Sequence, residues 1–337
     1  MNTQDNKSSV RFDPSKPLQV GGQAVIEGVM MRAPGRIATA VRRADGTIVV
    51  RQKEYKTLPE KYKIFKLPIL RGAVGLLEMM FVGVETLNFS AEVAINDLES
   101  KKNGSSGNQQ KTKTNLQLGI TVAIALILGI AIFFIVPLVA TTKFFAIEQD
   151  AVWFNLVAGF IRFAILILYL FAISLMKDVK KLFAYHGGEH KAVMTFESQK
   201  ELTVETAATS SRFHPRCGTS FILIVVLVSV LFFSVFDSFL ILMMGSITLP
   251  VRLMTHLPMI PLVGGLAYEF IRWSSRKSNT KIGKIMITPG LWLQKITTQE
   301  PDPSQIEVAI VAMKCALGME ISSSIKCIEN AAELIKQ

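Results

Sequence analysis

The sequence has few cysteines and few charged residues for a chain of 337, and each shortage excludes a class of protein. Its three cysteines, Cys217, Cys315 and Cys327, are odd in number and widely spaced, which excludes the disulfide framework of a small secreted domain. We therefore expect reduced thiols on a cytosolic face. Charged residues make up 19% and apolar residues 50%, and the mean hydropathy is +0.38. These values favour a membrane protein with cytosolic parts over a soluble globule.

The first twenty residues also lack an apolar h-region, so we predict no cleavable secretory signal. Apolar runs long enough to cross a bilayer, about 20 residues or more, occur at 116–140, 152–176, 219–244 and 249–271. Prolines and a glycine pair interrupt the last run, which a span tolerates where neighbouring helices cover its backbone. Residues 67–89 are apolar as well, but three charged residues at near-helical spacing favour a buried or interfacial helix there.

Lysine and arginine are unevenly divided among the segments that the four spans separate. Residues 1–114 contain 18 of them, 177–218 contain seven and 272–337 contain nine, whereas 141–151 contain one. Because basic residues concentrate on the cytoplasmic side, both termini and the central loop are expected in the cytosol. The predicted fold class is membrane α-helical with about four transmembrane helices, N-in and C-in. A small α+β N-terminal cytosolic region and a helical C-terminal cytosolic region complete it.

The net charge of +11 follows from this topology, since 34 of the 37 basic residues lie on the predicted inner side. No RNA- or DNA-binding motif accompanies the charge, so specific nucleic-acid binding is not expected. Membrane lipid is the expected partner. A protein partner on the cytosolic side and a homo-oligomer stay open as alternatives.

Composition divides the chain into four regions. Residues 1–99 form a cytosolic region in which strand-like stretches at 38–43 and 47–52 flank an Asp45-Gly46 hairpin turn. Residues 100–115 are polar and Gly/Ser/Lys-rich, as in a flexible linker. Residues 116–271 form the transmembrane region with the central loop 177–218. Residues 272–337 form a C-terminal region with a breaker at Pro289-Gly290 and helical apolar spacing at 304–317 and 321–335.

Three of the four histidines fall in the central loop, close to a cysteine. On a helix, His186 and His190 would face one side and could bind one metal ion, while Glu189 would act on a metal-bound water. His214 and Cys217 add two more ligand types at the spacing of a tight turn. Imidazole and thiolate suit zinc, or else iron, rather than magnesium or calcium. The predicted metal site is His186, His190, His214 and Cys217, with Glu189 as the catalytic base.

Three alternatives remain at this site. Gly187 and Gly188 cost an isolated helix about 2 kcal/mol relative to alanines, so a turn is possible instead. Four ligands would make a closed structural site, whereas three would leave an open position suited to hydrolysis. The histidines and the cysteine could also be ordinary interfacial and buried residues. Glu27 becomes a further candidate only if the N-terminal sheet packs over the histidine loop.

Charged residues inside the predicted spans form a second group. A lone charge in lipid is costly, so we predict that Arg162 pairs with Asp237, with Arg252 as the competing partner. His256 and Glu269 could instead line the polar path of a transporter or channel subunit. No inverted repeat supports that alternative.

Several long motifs follow one another between residues 18 and 318: GGQAVIEGVMMR at 21–32, LRG at 70–72, YHGGEHK at 185–191, HPRCGTS at 214–220, ITPGLWL at 287–293 and TTQEPDPSQIEVAIVAM at 297–313. In these motifs the chain resembles the YqhQ-type family of uncharacterised bacterial integral membrane proteins, which are commonly labelled predicted metal-dependent enzymes. The resemblance implies a membrane fold and a metal site, and it names no substrate.

These observations lead to one functional hypothesis and one alternative. The leading hypothesis is a multi-pass protein of the bacterial inner membrane with a cytosol-facing metal site, acting as a metal-dependent hydrolase on an unknown substrate. The alternative is a non-enzymatic membrane scaffold, in which a structural zinc site supports the binding of a cytosolic or membrane protein.

Overall fold

The computed structural model describes residues 20–102, 111–276, 280–329 and 333. The N-terminal part of these residues forms most of a five-stranded sheet. Its strands are β1 (Gly21–Val25), β2 (Gly28–Ala33), β3 (Gly35–Arg42), β4 (Ile48–Tyr55) and β5 (Lys326–Cys327), in that spatial order. The first four pair antiparallel, and β5 adds in parallel to β4 from the far end of the chain. The Asp45-Gly46 step lies in the β3–β4 turn, where Gly46 has a φ of +86°.

Helices make up most of the rest of the described residues. They are α1 (Leu58–Lys61), α2 (Leu70–Lys102), α3 (Lys111–Ile130), α4 (Val136–Phe145), α5 (Ala151–Ser174), α6 (Lys177–Glu197), α7 (Val204–Ala208), α8 (Gly218–Met244), α9 (Leu249–Arg276), α10 (Lys281–Thr297) and α11 (Pro303–Leu317). A 3₁₀ turn, Lys63–Lys66, lies between α1 and α2, and a π-helical turn, Ala131–Ile135, joins α3 to α4.

Four helical stretches are long and apolar enough to cross a membrane: Gly119–Phe145, Ala151–Ser174, Gly218–Met244 and Leu249–Ser274. They coincide with the four predicted spans to within a few residues, so the chain is a multi-pass membrane protein. The fourth continues through Pro258 and Pro261, as its neighbours allow. We refer to the end of the bundle where α8 begins and α9 finishes as the sheet end.

The apolar stretch 67–89 belongs to α2, which packs along α9 and then against the sheet. At its start, Arg71 forms an ion pair with Glu269 and Gly72 lies against Tyr268. Further on, Val82 packs with Met30. The helix therefore connects the last turns of the fourth span to the sheet.

One hydrophobic core joins segments that are far apart in the sequence. It combines strands β2 to β4 with α6, α7 and α11, through residues that include Val29, Met31, Ala38, Val50, Tyr185, Ala192, Ala207, Ile306 and Met313. The N-terminal sheet, the central loop and the C-terminal region thus form one packed body. The sheet lies on the helix that carries His186 and His190.

The predicted pairing of Arg162 with Asp237 is wrong, and the competing partner is the one observed. Asp237 accepts hydrogen bonds from Arg252 Nε at 2.8 Å, His256 Nε2 at 2.7 Å and Asn155 Nδ2 at 2.8 Å. All four side chains are buried. The carboxylate therefore joins three helices near the end of the bundle opposite the sheet end.

Arg162 is satisfied at a different depth. Its Nε donates to Phe133 O and its Nη1 to Ser229 Oγ, each at 2.9 Å. Ser229 and Asp237 are separated by about 12 Å along α8, at 1.5 Å per residue. That is too far for one arginine side chain to reach both, so Arg162 bonds to Ser229 and leaves Asp237 to Arg252.

The C-terminal predictions need two corrections. Residues 321–329 of the predicted helix 321–335 form turns and β5, after Gly318 ends α11 at a φ of +73°. Serines at 322–324 favour turns because their hydroxyls compete for backbone groups, as Ser322 Oγ does for Ser324 N. Conversely, α10 runs through the predicted breaker at Pro289, because Gly290 packs directly on Ser220 of α8.

The predicted linker 100–115 lies partly outside the described residues. Its two described parts are helical, since α2 continues to Lys102 and α3 begins at Lys111. Residues 103–110 between them are outside the described ranges.

Replacing Asp237 by alanine should destabilise the bundle strongly. Arg252 and His256 would remain buried without their shared acceptor, and removing one partner of a buried ion pair costs about 3–5 kcal/mol. We expect the thermal unfolding midpoint in detergent to fall by roughly 5–10 °C. The neighbouring Ser238→Ala is the control, because the exposed Ser238 hydroxyl bonds only to Ser234 O. Equal midpoints for the two variants would contradict the importance of this network.

Candidate metal centre

Two of the three histidines of the central loop, His186 and His190, lie on a helix. Helix α6 continues through Gly187 and Gly188, so His186 and His190 are one turn apart and their ring centroids are separated by 4.4 Å. Gly187 is required by packing, since a Cβ there would overlap the carbonyl oxygen of Gln299. Tertiary contact therefore outweighs the low helix propensity of the glycine pair.

Two backbone carbonyls orient the two imidazole rings. His186 Nδ1 lies 2.8 Å from Thr297 O, and His190 Nδ1 lies 2.5 Å from Arg212 O. A carbonyl oxygen only accepts, so each Nδ1 carries the proton and each Nε2 keeps a lone pair. Metal-binding histidines are commonly held in this way, with the second ring nitrogen donating to a carbonyl or carboxylate.

Cys217 brings a thiol to the same place. It is the N-cap of α8, and its Sγ lies 3.2 Å from His186 Nε2. One ligand atom from each of His186, His190 and Cys217 lies within 4.8 Å of the other two. Ligand atoms around a tetrahedral zinc ion are about 3.4–3.6 Å apart, given Zn–N and Zn–S bonds of about 2.1 and 2.3 Å. Shifts of about 1 Å would therefore close this group around an ion.

Glu189 is buried beside these three residues. One of its carboxylate oxygens lies 3.5 Å from His190 Nε2, and the backbone of Gly22 in β1 forms a hydrogen bond to the carboxylate. A Cβ at Gly22 would overlap Glu189 Cγ, so β1 lies directly on this side chain. Burial raises the pKa of Glu189, and His186 and His214 oppose this shift. Burial lowers the pKa of His190, and Cys217 opposes that shift.

His214 lies next to the group but is engaged elsewhere. Its ring centroid is 5.7 Å from that of His190, yet its Nε2 lies 3.4 Å from a Glu197 carboxylate oxygen. Its Nδ1 accepts a hydrogen bond from Arg216 N at 3.4 Å. Of the four ligands expected from the sequence, the structure brings His186, His190 and Cys217 together and leaves His214 at the side.

Glu27 anchors the sheet to α6. It lies in the turn between β1 and β2 with a left-handed φ of +54°. Its carboxylate forms an ion pair with Lys181 at 2.6 Å and accepts a hydrogen bond from Tyr185 Oη at 3.3 Å. The sheet does pack over the histidine helix, but these two contacts commit Glu27 to positioning rather than to the group of three.

Comparison with known proteins gives the chain a family. Residues 67–319 match the family described as "Protein of unknown function (DUF1385)". The chain belongs to this family. "Uncharacterized protein YqhQ" of Bacillus subtilis (strain 168) is 30% identical over 314 residues, covering 91% of this chain and 95% of that protein. The resemblance to the YqhQ-type family is thus confirmed. No solved structure matches the chain.

The region matched by the DUF1385 family contains α6 and the start of α8, and therefore His186, Glu189, His190 and Cys217. Neither comparison supplies an activity. The geometry of the site is therefore the guide to its function.

Sequence reasoning missed the residues that support the site from other parts of the chain. Gln294 of α10 is fully buried and bonds both backbone groups of His214, accepting from N at 2.9 Å and donating to O at 2.8 Å. Thr297, which orients His186, lies one turn further along. The only signal was a single glutamine inside an otherwise apolar stretch, which does not reveal its partner 80 residues away.

Replacing Gly187 by alanine tests the close packing that places His186. The new Cβ would meet a backbone oxygen that cannot rotate away, and overpacking of this kind costs about 2–3 kcal/mol. We expect a lower unfolding midpoint, although alanine favours a helix by about 1 kcal/mol. Gly75→Ala in α2 is the matched control, because its Cβ would enter open space. An unchanged midpoint for Gly187→Ala would show that α6 is not packed in this way.

Proposed function

We propose that this protein belongs to the bacterial cytoplasmic membrane, with the sheet, α6 and both termini in the cytosol. The support is the distribution of charge, since 34 of 37 basic residues lie on that side of the four spans. The sheet, the central loop and the C-terminal region also share one core, so they must lie on the same side.

We infer further that His186, His190 and Cys217 hold a zinc ion, with iron as the alternative metal. The observation that carries this inference is the convergence of two carbonyl-fixed imidazoles and one thiol within 4.8 Å. Nitrogen and sulfur donors of this kind select zinc or iron over magnesium and calcium. A bound zinc ion would activate water or polarise a carbonyl group as a Lewis acid.

The preferred activity is metal-dependent hydrolysis. Because His214 is turned to Glu197, three protein ligands remain, which is the number found in catalytic zinc sites. A Glu189 carboxylate oxygen lies 3.5 Å from His190 Nε2, next to the three proposed ligands. On this proposal Glu189 would accept the proton of an attacking water, as a general base.

Burial favours a second candidate, a structural centre. His190, Glu189 and Cys217 are each less than 10% exposed. A closed centre would tie α6 to the first turn of α8, and so the sheet to the spans. The cytosolic body would then act as a scaffold for a protein partner.

Metal analysis of the detergent-purified protein tests the ligand set. We expect about one zinc or iron per chain, lost in His190→Ala and retained in His214→Ala, because only His190 belongs to the converging group. Both variants remove an imidazole from the same region, so they are matched. Wild-type protein free of metal after a chelator-free preparation would contradict the proposal, as would equal loss in the two variants.

Glu189→Gln separates the hydrolase from the structural centre. Glutamine keeps the shape and the acceptor for Gly22 N but cannot take a proton, so metal content and the unfolding midpoint should be unchanged. Turnover of a hydrolysed ester, peptide or phosphoester should fall by about 10²–10⁴-fold. Full activity in this variant would refute the role of Glu189. Metal-loaded wild-type protein without hydrolysis, combined with unfolding of Cys217→Ser, would favour the structural centre.

A further inference from the structure

Two elements separated by more than 200 residues expose lysines and apolar side chains together at the sheet end of the bundle. The first is the arm, residues 58–70, which comprises α1, the 3₁₀ turn and the approach to α2. The second is α10. None of these exposed side chains belongs to the candidate metal centre.

The arm alternates basic and apolar side chains. The lysines are exposed, and so are the apolar residues between them, with Ile64 at 61%: Lys61, Lys63 and Lys66, with Tyr62, Ile64 and Leu67. Its one acidic residue, Glu60, is used in a capping box with Thr57. The arm therefore presents positive charge and apolar surface side by side.

Helix α10 repeats this pattern. Its exposed side chains again include three lysines and three large apolar residues, with Ile285 at 72% and Trp292 at 64%: Lys281, Lys284 and Lys295, with Ile282, Ile285 and Trp292. The helix contains no acidic residue. The opposite face of α10 packs on α8, where Gly290 lies against Ser220.

Both elements lie against the C-terminal part of α9. The arm ends where Ile69 meets Gly265, and Arg71 pairs with Glu269 just beyond it. Met286 and Ile287 of α10 line a small cleft together with Ile271 of α9 and the first turns of α8. Ile271 lies three residues before Ser274, where the fourth span finishes, and Gly265 lies about 9 Å deeper along α9.

A bilayer changes from acyl chains to headgroups at the end of a span, so the surroundings at this level are lipid. Amphipathic segments with apolar side chains and flanking lysines bury the former in the acyl region and direct the latter to the headgroups. Lysines near the membrane surface attract anionic lipid. The arm and α10 together expose six lysines, and their one acidic residue, Glu60, is held in a capping box. Their net positive charge is complementary to anionic lipid.

We propose that the arm and α10 together bind anionic phospholipid headgroups. We call Lys61, Lys63, Lys66, Lys281, Lys284 and Lys295 the lysine collar. The exposed apolar residues between them contact the upper parts of the acyl chains. This surface is independent of any metal at His186, His190 and Cys217.

The three tryptophans of the chain allow a direct test. Trp273 and Trp292 lie at the sheet end, whereas Trp153 begins α5 at the opposite end, and all three are exposed. Full-length Trp153→Phe protein is reconstituted in mixed bilayers in which either phosphatidylglycerol or phosphatidylcholine carries brominated chains. Quenching of Trp273 and Trp292 then gives the relative association of the two lipids. We expect phosphatidylglycerol to be preferred by at least about fivefold, the effect of one lysine near an anionic surface.

Three matched variants locate the preference. Replacing the collar lysines by glutamine should bring the ratio to about one, whereas replacing them by arginine keeps the charge and should preserve it. Lys53, Lys200 and Lys326 lie on the packed body formed by the sheet, the central loop and the C-terminal region. Their replacement by glutamine should therefore leave the ratio unchanged. A Trp273→Phe/Trp292→Phe protein reports from Trp153 and should show a weaker preference.

The proposal is overturned by equal quenching with the two lipids in the wild type, which would leave the surface to a protein partner. It is also overturned if the glutamine variant of the collar folds with an unchanged circular dichroism spectrum and keeps the preference.

Discussion

The close packing of α6 between β1 and the connection 297–305 is the constraint on which the rest of the structure depends. On one side, Gly22 lies on Glu189 with no room for a Cβ. On the other side, Gly187 lies against Gln299 with no room for one either. Because both contacts are so close, Thr297 O reaches His186 and β1 shields Glu189 from solvent. Gly187, which disfavours a helix in isolation, thus allows α6 to pack in this place.

Charged side chains of the spans find partners on neighbouring segments. Asp237 uses its two oxygens for Arg252, His256 and Asn155, and Arg252 also donates to Glu148 O at 2.6 Å. Arg162 instead donates a hydrogen bond from Nε to Phe133 O, which lies within the π-helical turn of the first span. A π turn interrupts the regular hydrogen-bond ladder, which suits a carbonyl that also serves a neighbouring helix.

Features that depend on local composition could be read from the sequence, and features that depend on long-range contact could not. Apolar length revealed the four spans, and the Asp45-Gly46 step revealed a hairpin, because each is decided within one segment. The grouping of His186 and His190 followed from their spacing of four. The turning of His214 to Glu197, and the choice of Arg252 over Arg162 by Asp237, depend on the relative depth and rotation of separate helices. No pattern within either helix encodes these.

The core shared by the sheet, the central loop and the C-terminal region has a consequence for the order of synthesis and folding. Strands β1 to β4 are complete by Tyr55, but α11, which covers them, leaves the ribosome about 260 residues later. At a translation rate of about 5–20 residues per second, the apolar face of the sheet stays uncovered for roughly 15–50 seconds. The four spans are synthesised during that interval. We therefore expect them to insert into the bilayer before α11 packs on the sheet. The apolar face of the nascent sheet is therefore exposed to aggregation until α11 covers it.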